Sequence, residues 1–299
     1  MALQKEIWVN DLVENLFADN TFAGRSVNHS GFVIDRTVHV PNAGGKPNVV
    51  KNRKTLPAQI SEREDVDLHY DIDVYTTDPI TIQHAEEVEL SYSKRNSVIF
   101  NSRNALQEQI HGDLIYSWIP SSPSKVATSG SAAAAHITSA TGNRKAFTKA
   151  DVLAVKSLFD SQDIPQGGRC ILIDSIMYNQ LLESLTETQA NAFMASADAQ
   201  RGTIGNLYGF DFYMRSKVAK TNASGTVKGW SDSAAATDSA AGIAWQSGCV
   251  SRALGSTELF DNQGNALVYG DIISAAVRAG GHYMRNDKKG VCLIYQATA

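Results

Sequence analysis

The chain has 299 residues, 43% of them hydrophobic, and a net charge of −4 with a pI of about 6.0. That apolar content suffices for one large domain or two moderate ones, while the mild negative charge excludes a globally basic nucleic-acid binder. No apolar run approaches membrane-spanning length and no basic n-region precedes one, so neither a membrane span nor a signal peptide is expected.

The first segment, residues 2–23, has Ile7, Trp8, Leu12, Val13, Leu16 and Phe17 at helical spacing and few charges. It is expected to dock on its own core or to grip a neighbouring copy as a terminal arm. Residues 32–40 alternate like a strand, through Phe32, Ile34, Val38 and Val40, and Pro41-Asn42-Ala43-Gly44-Gly45 reads as a turn. A basic limb follows with Lys46, Lys51, Arg53 and Lys54. The sign then flips to Glu62, Glu64, Asp65, Asp67, Asp71 and Asp73, opposed only by Arg63. Val66, Leu68, Tyr70, Ile72 and Val74 alternate with polar residues and predict one strand over 66–74. Residues 32–76 therefore predict an extended antiparallel excursion with one basic and one acidic limb. The limbs either neutralise each other or meet opposite charges on neighbouring copies. Exposed pairs contribute only about 0–1 kcal/mol each, so repeated pairs would set register and partner choice more than affinity.

A long helix is predicted over 81–119, punctuated by Pro79 and Pro120 and containing one glycine, Gly112. Its apolar stripe runs through Val98, Leu106, Ile110, Leu114 and Trp118, broken by Ser102, with Val88, Tyr92 and Ile99 on or beside it. Glu86, Glu87 and Glu89 crowd the first turns, where the helix dipole favours negative charge. The alternative is two helices meeting near Asn101 or Gly112. Residues 120–143, rich in Ser, Ala, Thr and Gly, read as a loop.

Thr148 with Asp151 three positions on predicts a capped helix over 149–162, stopped by Pro165-Gln166-Gly167-Gly168. Residues 169–174 form a continuous apolar run that predicts a buried strand, and Ser175 is the expected cap of the next helix. Glycines at 202, 205 and 209 suit tight turns before a strand. Residues 222–242 are low in complexity and predict a surface loop. Short strands are expected over 242–245, 249–253, 267–269 and 291–295, while 271–277 fits strand or helix. The fold class is α+β.

No strong catalytic motif appears. P-loop, GxSxG and HExxH patterns are absent, and the 202–209 glycines do not fit GxGxxG. The seven histidines are too scattered for a local metal pair, and the carboxylates of 62–73 lack a calcium-loop pattern. Cys170, Cys249 and Cys292 form no CxxC pair and sit in apolar contexts, which predicts buried thiols and a chain of cytosolic origin. No cofactor or metal is expected.

Several stretches carry a resemblance. Val38-His39-Val40-Pro41 with Lys51-Asn52-Arg53, Thr77-Asp78-Pro79 before the long helix, Gly168-Arg169-Cys170-Ile171-Leu172-Ile173, and Ile204-Gly205-Asn206-Leu207-Tyr208-Gly209-Phe210-Asp211-Phe212-Tyr213 occur in an order that resembles the tailed-bacteriophage major capsid protein family, with its HK-ninety-seven-type (Johnson) fold. The resemblance covers nearly the whole chain. It implies an N-terminal arm at 1–31, an extended hairpin (E-loop) at 32–80, a peripheral (P) domain with the spine helix at 81–146 and 251–287, and an axial (A) domain at 147–250 and 288–299. It implies a non-enzymatic coat protein that self-assembles as hexamers and pentamers into an icosahedral shell around double-stranded DNA contacted nonspecifically. Portal, scaffold and decoration proteins would be its partners, with no membrane, and assembly would take place in the host bacterial cytoplasm. A family scaffolding segment is not expected ahead of the arm. Lys46, Lys51 and Lys54 are available for the loop-Lys cross-link some members form. The expected intersubunit contacts are Trp8, Leu12, Leu16 and Phe17 in the arm, Lys46, Lys51, Arg53 and Lys54 in the basic limb, and Glu62, Glu64, Asp65 and Asp67 in the acidic limb. The alternatives are an encapsulin-like nanocompartment shell, a tail-tube or adaptor protein, or a hydrolase using Cys170.

Overall fold

The computed structural model describes residues 20–299 except 35, 46, 55, 58, 59, 61, 84–93, 230, 231 and 234. In chain order the described strands are β1 (Val27–Asn28), β2 (Thr37–Asn42), β3 (Val66–Asp71), β4 (Asp73–Thr76), β5 (Ile80–Gln83), β6 (Ser124–Ala127), β7 (Ala132–Ala134), β8 (Asn143–Lys145) and β9 (Arg169–Ile173). They continue with β10 (Gly205–Leu207), β11 (Phe210–Met214), β12 (Ala219–Thr221), β13 (Val227–Lys228), β14 (Ser239–Gln246), β15 (Val250–Asn265), β16 (Gly270–Tyr283) and β17 (Val291–Tyr295). The described α-helices are α1 (Lys94–Trp118), α2 (Lys149–Ser161), α3 (Ser175–Ser184) and α4 (Glu187–Ala195).

Two sheets organise the molecule. The five-stranded one runs β1-β15-β16-β4, with β5 also pairing β16. The eight-stranded one runs β10-β11-β9-β14-β12-β13, and β17 joins it between β14 and β6. Every residue of β9 is buried, and its alternating side chains face two cores. Ile171 and Ile173 join Phe159, Phe193, Phe210 and Phe212 beneath α2, α3 and α4. Cys170 and Leu172 join Phe22, Trp118, Tyr213 and Trp245 on the other face.

Helix α1 ties the sheets together. It is continuous through Asn101 and Gly112, which decides between the two expectations, and its 25 residues span about 37 Å at 1.5 Å per residue. Leu106 and Ile110 pack on Ala279 of the five-stranded sheet. One turn later Leu114, Ile115 and Trp118 belong to the core of the eight-stranded sheet. Trp118 Nε1 donates to the Ser251 carbonyl at 2.8 Å, locking the crossing.

Several expectations are corrected. Residues 80–83 are strand β5, not helix, because Ile82 is buried against β16 in antiparallel register; Glu86, Glu87, Val88, Glu89 and Tyr92 lie outside the described residues. The strand over 66–74 is two strands: β3 pairs β2, β4 pairs β16, and between them the Ile72 N–H donates to the Arg36 carbonyl. The strand expected from residue 32 begins at Thr37, and Phe32 and Ile34 are exposed; it also runs on through Pro41 and Asn42, where a turn was expected. The loop at 120–143 holds β6, which pairs parallel with β17, and β7, which pairs β8. The 222–242 surface loop ends in the buried start of β14. Residues 267–269 are the turn between the two longest strands, and 271–277 is strand.

Local capping agrees with the sequence at α2, where the Asp151 carboxylate accepts from the Thr148 N–H at 2.8 Å. At α3 the cap is Asp174, not Ser175, accepting from Met177 N at 2.7 Å. Tyr208 and Gly209 both have positive φ, so β10 and β11 join through a tight two-residue turn as the glycine pattern suggested.

Candidate assembly surfaces

Among the described residues, the hairpin β2–β3 is anchored to the rest of the fold along its two strands. Val38, Val40, Tyr70 and Ile72 form a small core with Ala253. Thr37 Oγ1 donates to Asp71 at 2.7 Å, His39 Nδ1 meets Asp67 at 2.6 Å, and the Asn286 N–H donates to Asn42 Oδ1 at 3.1 Å. Beyond these strands, residues 43–65 hold no strand among the described residues, and their large apolar side chains are exposed, Ile60 at 93% and Val49 at 87%. Such apolar exposure on a projecting loop marks a contact surface.

Its charges are only partly satisfied within the chain. Arg63 grips Asp65 with two hydrogen bonds of 2.6 and 2.8 Å, and the Gly44 N–H donates to the same carboxylate at 2.8 Å. Those contacts hold the Asp65 carboxyl down at about 2. Among the described residues, Lys51, Arg53, Lys54, Glu62 and Glu64 form no ion pair. Among the described residues, no cation of the basic limb pairs with an acid of the other: Asp65 and Asp67 take Arg63 and His39, and Lys51, Arg53 and Lys54 are exposed. Lys46 lies outside the described residues, as do Trp8, Leu12, Leu16 and Phe17.

The start of the described chain is strapped across the eight-stranded sheet. Arg25 Nε donates to the Tyr213 hydroxyl at 2.7 Å and Nη2 meets Asp211 at 3.2 Å. Trp245 Nε1 donates to the Arg25 carbonyl at 2.8 Å, and Arg252 donates to the Ala23 carbonyl. Residues 20–26 thus lie at the junction of the two sheets.

Sequence reasoning missed one surface. Strands β15 and β16 form a ribbon of 16 and 14 residues whose tip exposes Leu267 at 91% and Tyr269 at 81%, with Phe260 half-exposed on its shaft. Arg95 of α1 clamps the shaft through Asp261 and Asp271. The available signal was polar Asp261-Asn262-Gln263-Gly264-Asn265 followed by isolated apolar residues, a turn pattern that short-strand expectations obscured.

Cys170 is not placed to act as a nucleophile. Cys170 is fully buried beside Trp245 and Tyr213, and burial pushes its thiol up to about 12. Among the described residues, no group of three or more His, Cys, Asp or Glu is placed to hold a metal, and no helix is long and apolar enough to cross a membrane.

Comparison of the sequence with protein-family models and with curated proteins returns no match. Comparison of the fold does. The capsid structure of cyanophage P-SCSP1u superposes with a TM-score of 0.68 at 16% identity, covering 99% of this chain and 94% of that one. The capsid of cyanophage Pam1 gives a TM-score of 0.68 at 13% identity over 99% and 97% of the two chains. A structure from Mycobacterium phage Che8 gives 0.64 at 16% identity over 98% and 97%.

The chain has the phage capsid fold.

The HK-ninety-seven-type expectation from the sequence is met over nearly full length, and the α+β class with it. In this capsid fold the α1 spine and the strapped segment are parts of one framework, from which the β2–β3 hairpin and the β15–β16 ribbon project.

Proposed function

We propose that this protein is a major capsid protein that self-assembles as hexamers and pentamers into an icosahedral shell enclosing the double-stranded DNA of a tailed bacteriophage. The full-length agreement with phage capsid structures carries the reading. The β2–β3 hairpin supports it, because it presents exposed apolar groups and unpaired cations that a monomer has no use for. In this reading 32–80 is the E-loop, 81–146 with 251–287 the peripheral domain, and 147–250 with 288–299 the axial domain. The chain's role is association, not catalysis. Lys51, Arg53 and Lys54, with Lys46, meet acids of neighbouring subunits, among them Glu62 and Glu64. Closed symmetry repeats each such contact around every ring, so a modest pair acts many times per shell. The mild negative charge suits a shell that contacts DNA locally and nonspecifically. Portal, scaffold and decoration proteins complete the particle, which assembles in the bacterial cytoplasm.

Negative-stain electron microscopy with mass photometry of the purified protein tests this. Closed shells, or free hexamers and pentamers, are the expected result. A monodisperse monomer or dimer across protein concentration and salt, persisting when the proteins encoded beside it are co-expressed, would overturn the proposal. Open tubes would favour a tail-tube role instead.

A further inference from the structure

His39 and His69 are far apart in sequence, and only the pairing of β2 with β3 brings them together. They stand directly opposite each other in the antiparallel register. Such partners have Cβ atoms about 4.5–5.5 Å apart and side chains on one face of the ladder. That face is the open one. Val38, Val40 and Tyr70 turn into the small core, whereas His39 and His69 are exposed. Both rings are therefore within reach of solutes as well as of each other.

The two imidazoles have centroids 5.9 Å apart and planes tilted by 35°. Two imidazoles bound to one tetrahedral zinc ion, with Zn–N about 2.1 Å, have centroids about 5 Å apart. A small rotation of two exposed rings spans the difference.

His39 is also oriented for ligation. Its Nδ1 lies 2.6 Å from Asp67 Oδ2. With the carboxylate accepting from Nδ1–H, the lone pair of the ring falls on Nε2, the nitrogen left for a metal. A carboxylate in this position fixes the tautomer and makes the ring a better donor. The surroundings favour a cation. Asp67 and Asp71 lie two residues to either side of His69 on the same strand, and so on the same face. Thr37 Oγ1 donates to Asp71 at 2.7 Å and holds that carboxylate at the ladder. The paired positions of this face, Thr37, His39, Pro41, Asp67, His69 and Asp71, include no lysine or arginine.

We propose that His39 and His69 chelate one divalent transition-metal ion across the β2–β3 ladder, with Asp67 as the positioning residue of His39. Imidazole nitrogen suits Zn²⁺, Ni²⁺ and Cu²⁺, and not the oxygen-seeking Mg²⁺ and Ca²⁺. Among the described residues no group of three or more His, Cys, Asp or Glu could hold the ion, so water fills its remaining positions. The bound ion pins the two strands at the root of the projecting 43–65 segment. The site requires no second subunit, so it is independent of the capsid reading.

Titration calorimetry of the full-length, chelator-treated chain with Zn²⁺ tests the site. The parent is expected to bind, and His39→Ala and His69→Ala are each expected to bind at least tenfold more weakly. Both positions are exposed, so the fold is expected to be retained, which circular dichroism checks. Asp67→Asn is expected to weaken binding about tenfold, the loss typical of removing the outer partner of a ligating histidine. No binding by the parent, or unchanged binding by either single-histidine variant, would overturn the proposal. Equal binding of Mg²⁺ would also overturn it, because the acidic charge of the hairpin alone would then account for the heat. Hydrogen exchange supplies an independent readout. Saturating Zn²⁺ is expected to slow exchange of the β2 and β3 amides at least tenfold in the parent and not in His69→Ala. Zn²⁺ that leaves those amides unchanged in the parent would place the ion away from the ladder and sink the bridge.

Discussion

Arg144 is 3% exposed and donates five hydrogen bonds, to Ser239 Oγ and to the carbonyls of Thr141, Asn143, Ala236 and Asp238. It ties Ala236, Asp238 and Ser239 to the sheet, which is why the end of a low-complexity stretch is held against the core. Arg144→Ala leaves buried carbonyls without donors and is expected to cost about 3 kcal/mol; scanning calorimetry would show a lower melting temperature, and an unchanged one would refute the role. His111 is neutralised by burial, which outweighs its hydrogen bond to the Gln107 carbonyl, and Arg215 and Arg252 push the same way. Its folded pKa lies below 6.5, so the unfolded chain takes up the proton first. Stability is therefore full above about pH 6.5 and falls as the pH drops below it. His111→Gln is expected to shrink the fall in melting temperature between pH 7 and 5, and an identical fall in both proteins would exclude this residue as a source. At Cys170 and Cys292 burial pushes the thiols up to about 12, and the Cys249 thiol is raised too. Iodoacetamide at pH 8 is expected to label none of the three in the native chain and all three in denaturant. Rapid native labelling of Cys170 would revive a nucleophilic role.

At the scale of elements, the decisive contact is the crossing of α1 over β16. Gly281 sits where any Cβ would overlap Leu114 Cδ1 and the Ser251 carbonyl, the carbonyl that Trp118 also uses. Gly281→Ala is expected to cost about 1–3 kcal/mol by overpacking, and to do so without touching the hairpin. The urea midpoint measures it; a variant as stable as the parent would show that the helix can shift freely. The same crossing explains the split at Ile72. One alternating run of apolar residues serves two sheets, because Tyr70 and Ile72 fill the small core under the hairpin while Val74 passes on to pair Arg278. Alternation reports a pleated chain, and it carries no information about which sheet each half joins.

At the scale of the whole molecule, projecting charge matters more than net charge. The triple variant Lys51→Glu/Arg53→Glu/Lys54→Glu changes only exposed groups without ion pairs, so the subunit is expected to melt within about a degree of the parent, since such surface changes usually stay within ±0.5 kcal/mol. Assembly is expected to fail or to require higher salt, because each reversed contact recurs at every symmetry-related position. Light scattering during assembly measures this, and adding Glu62→Lys/Glu64→Lys is expected to restore part of it. Normal assembly of the triple variant would show that the basic limb faces solvent or DNA.

Local chemistry was sufficient for much of this protein. The Thr148–Asp151 cap, the continuous apolar run of β9, the Tyr208-Gly209 turn, the stripe of α1 and the buried cysteines were all legible, because each depends on residues within a few positions of one another. So was the order of segments that resembles phage capsid proteins. For the candidate contacts, the sequence showed which charges exist but not which stay unpaired. Arg63 takes Asp65 from two residues away on the same limb, whereas His39 removes Asp67 from the free set only once the hairpin has closed. Tertiary structure alone decided that 80–83 is a strand, since Ile82 gains its burial from β16, more than 180 residues away in sequence. It likewise decided that Ser124–Ala127 is not a loop, since those backbone groups find their partners on β17. Long-range pairing rewards a segment for what lies beside it in space, and a pattern read along one strand of chain contains only half of that pair.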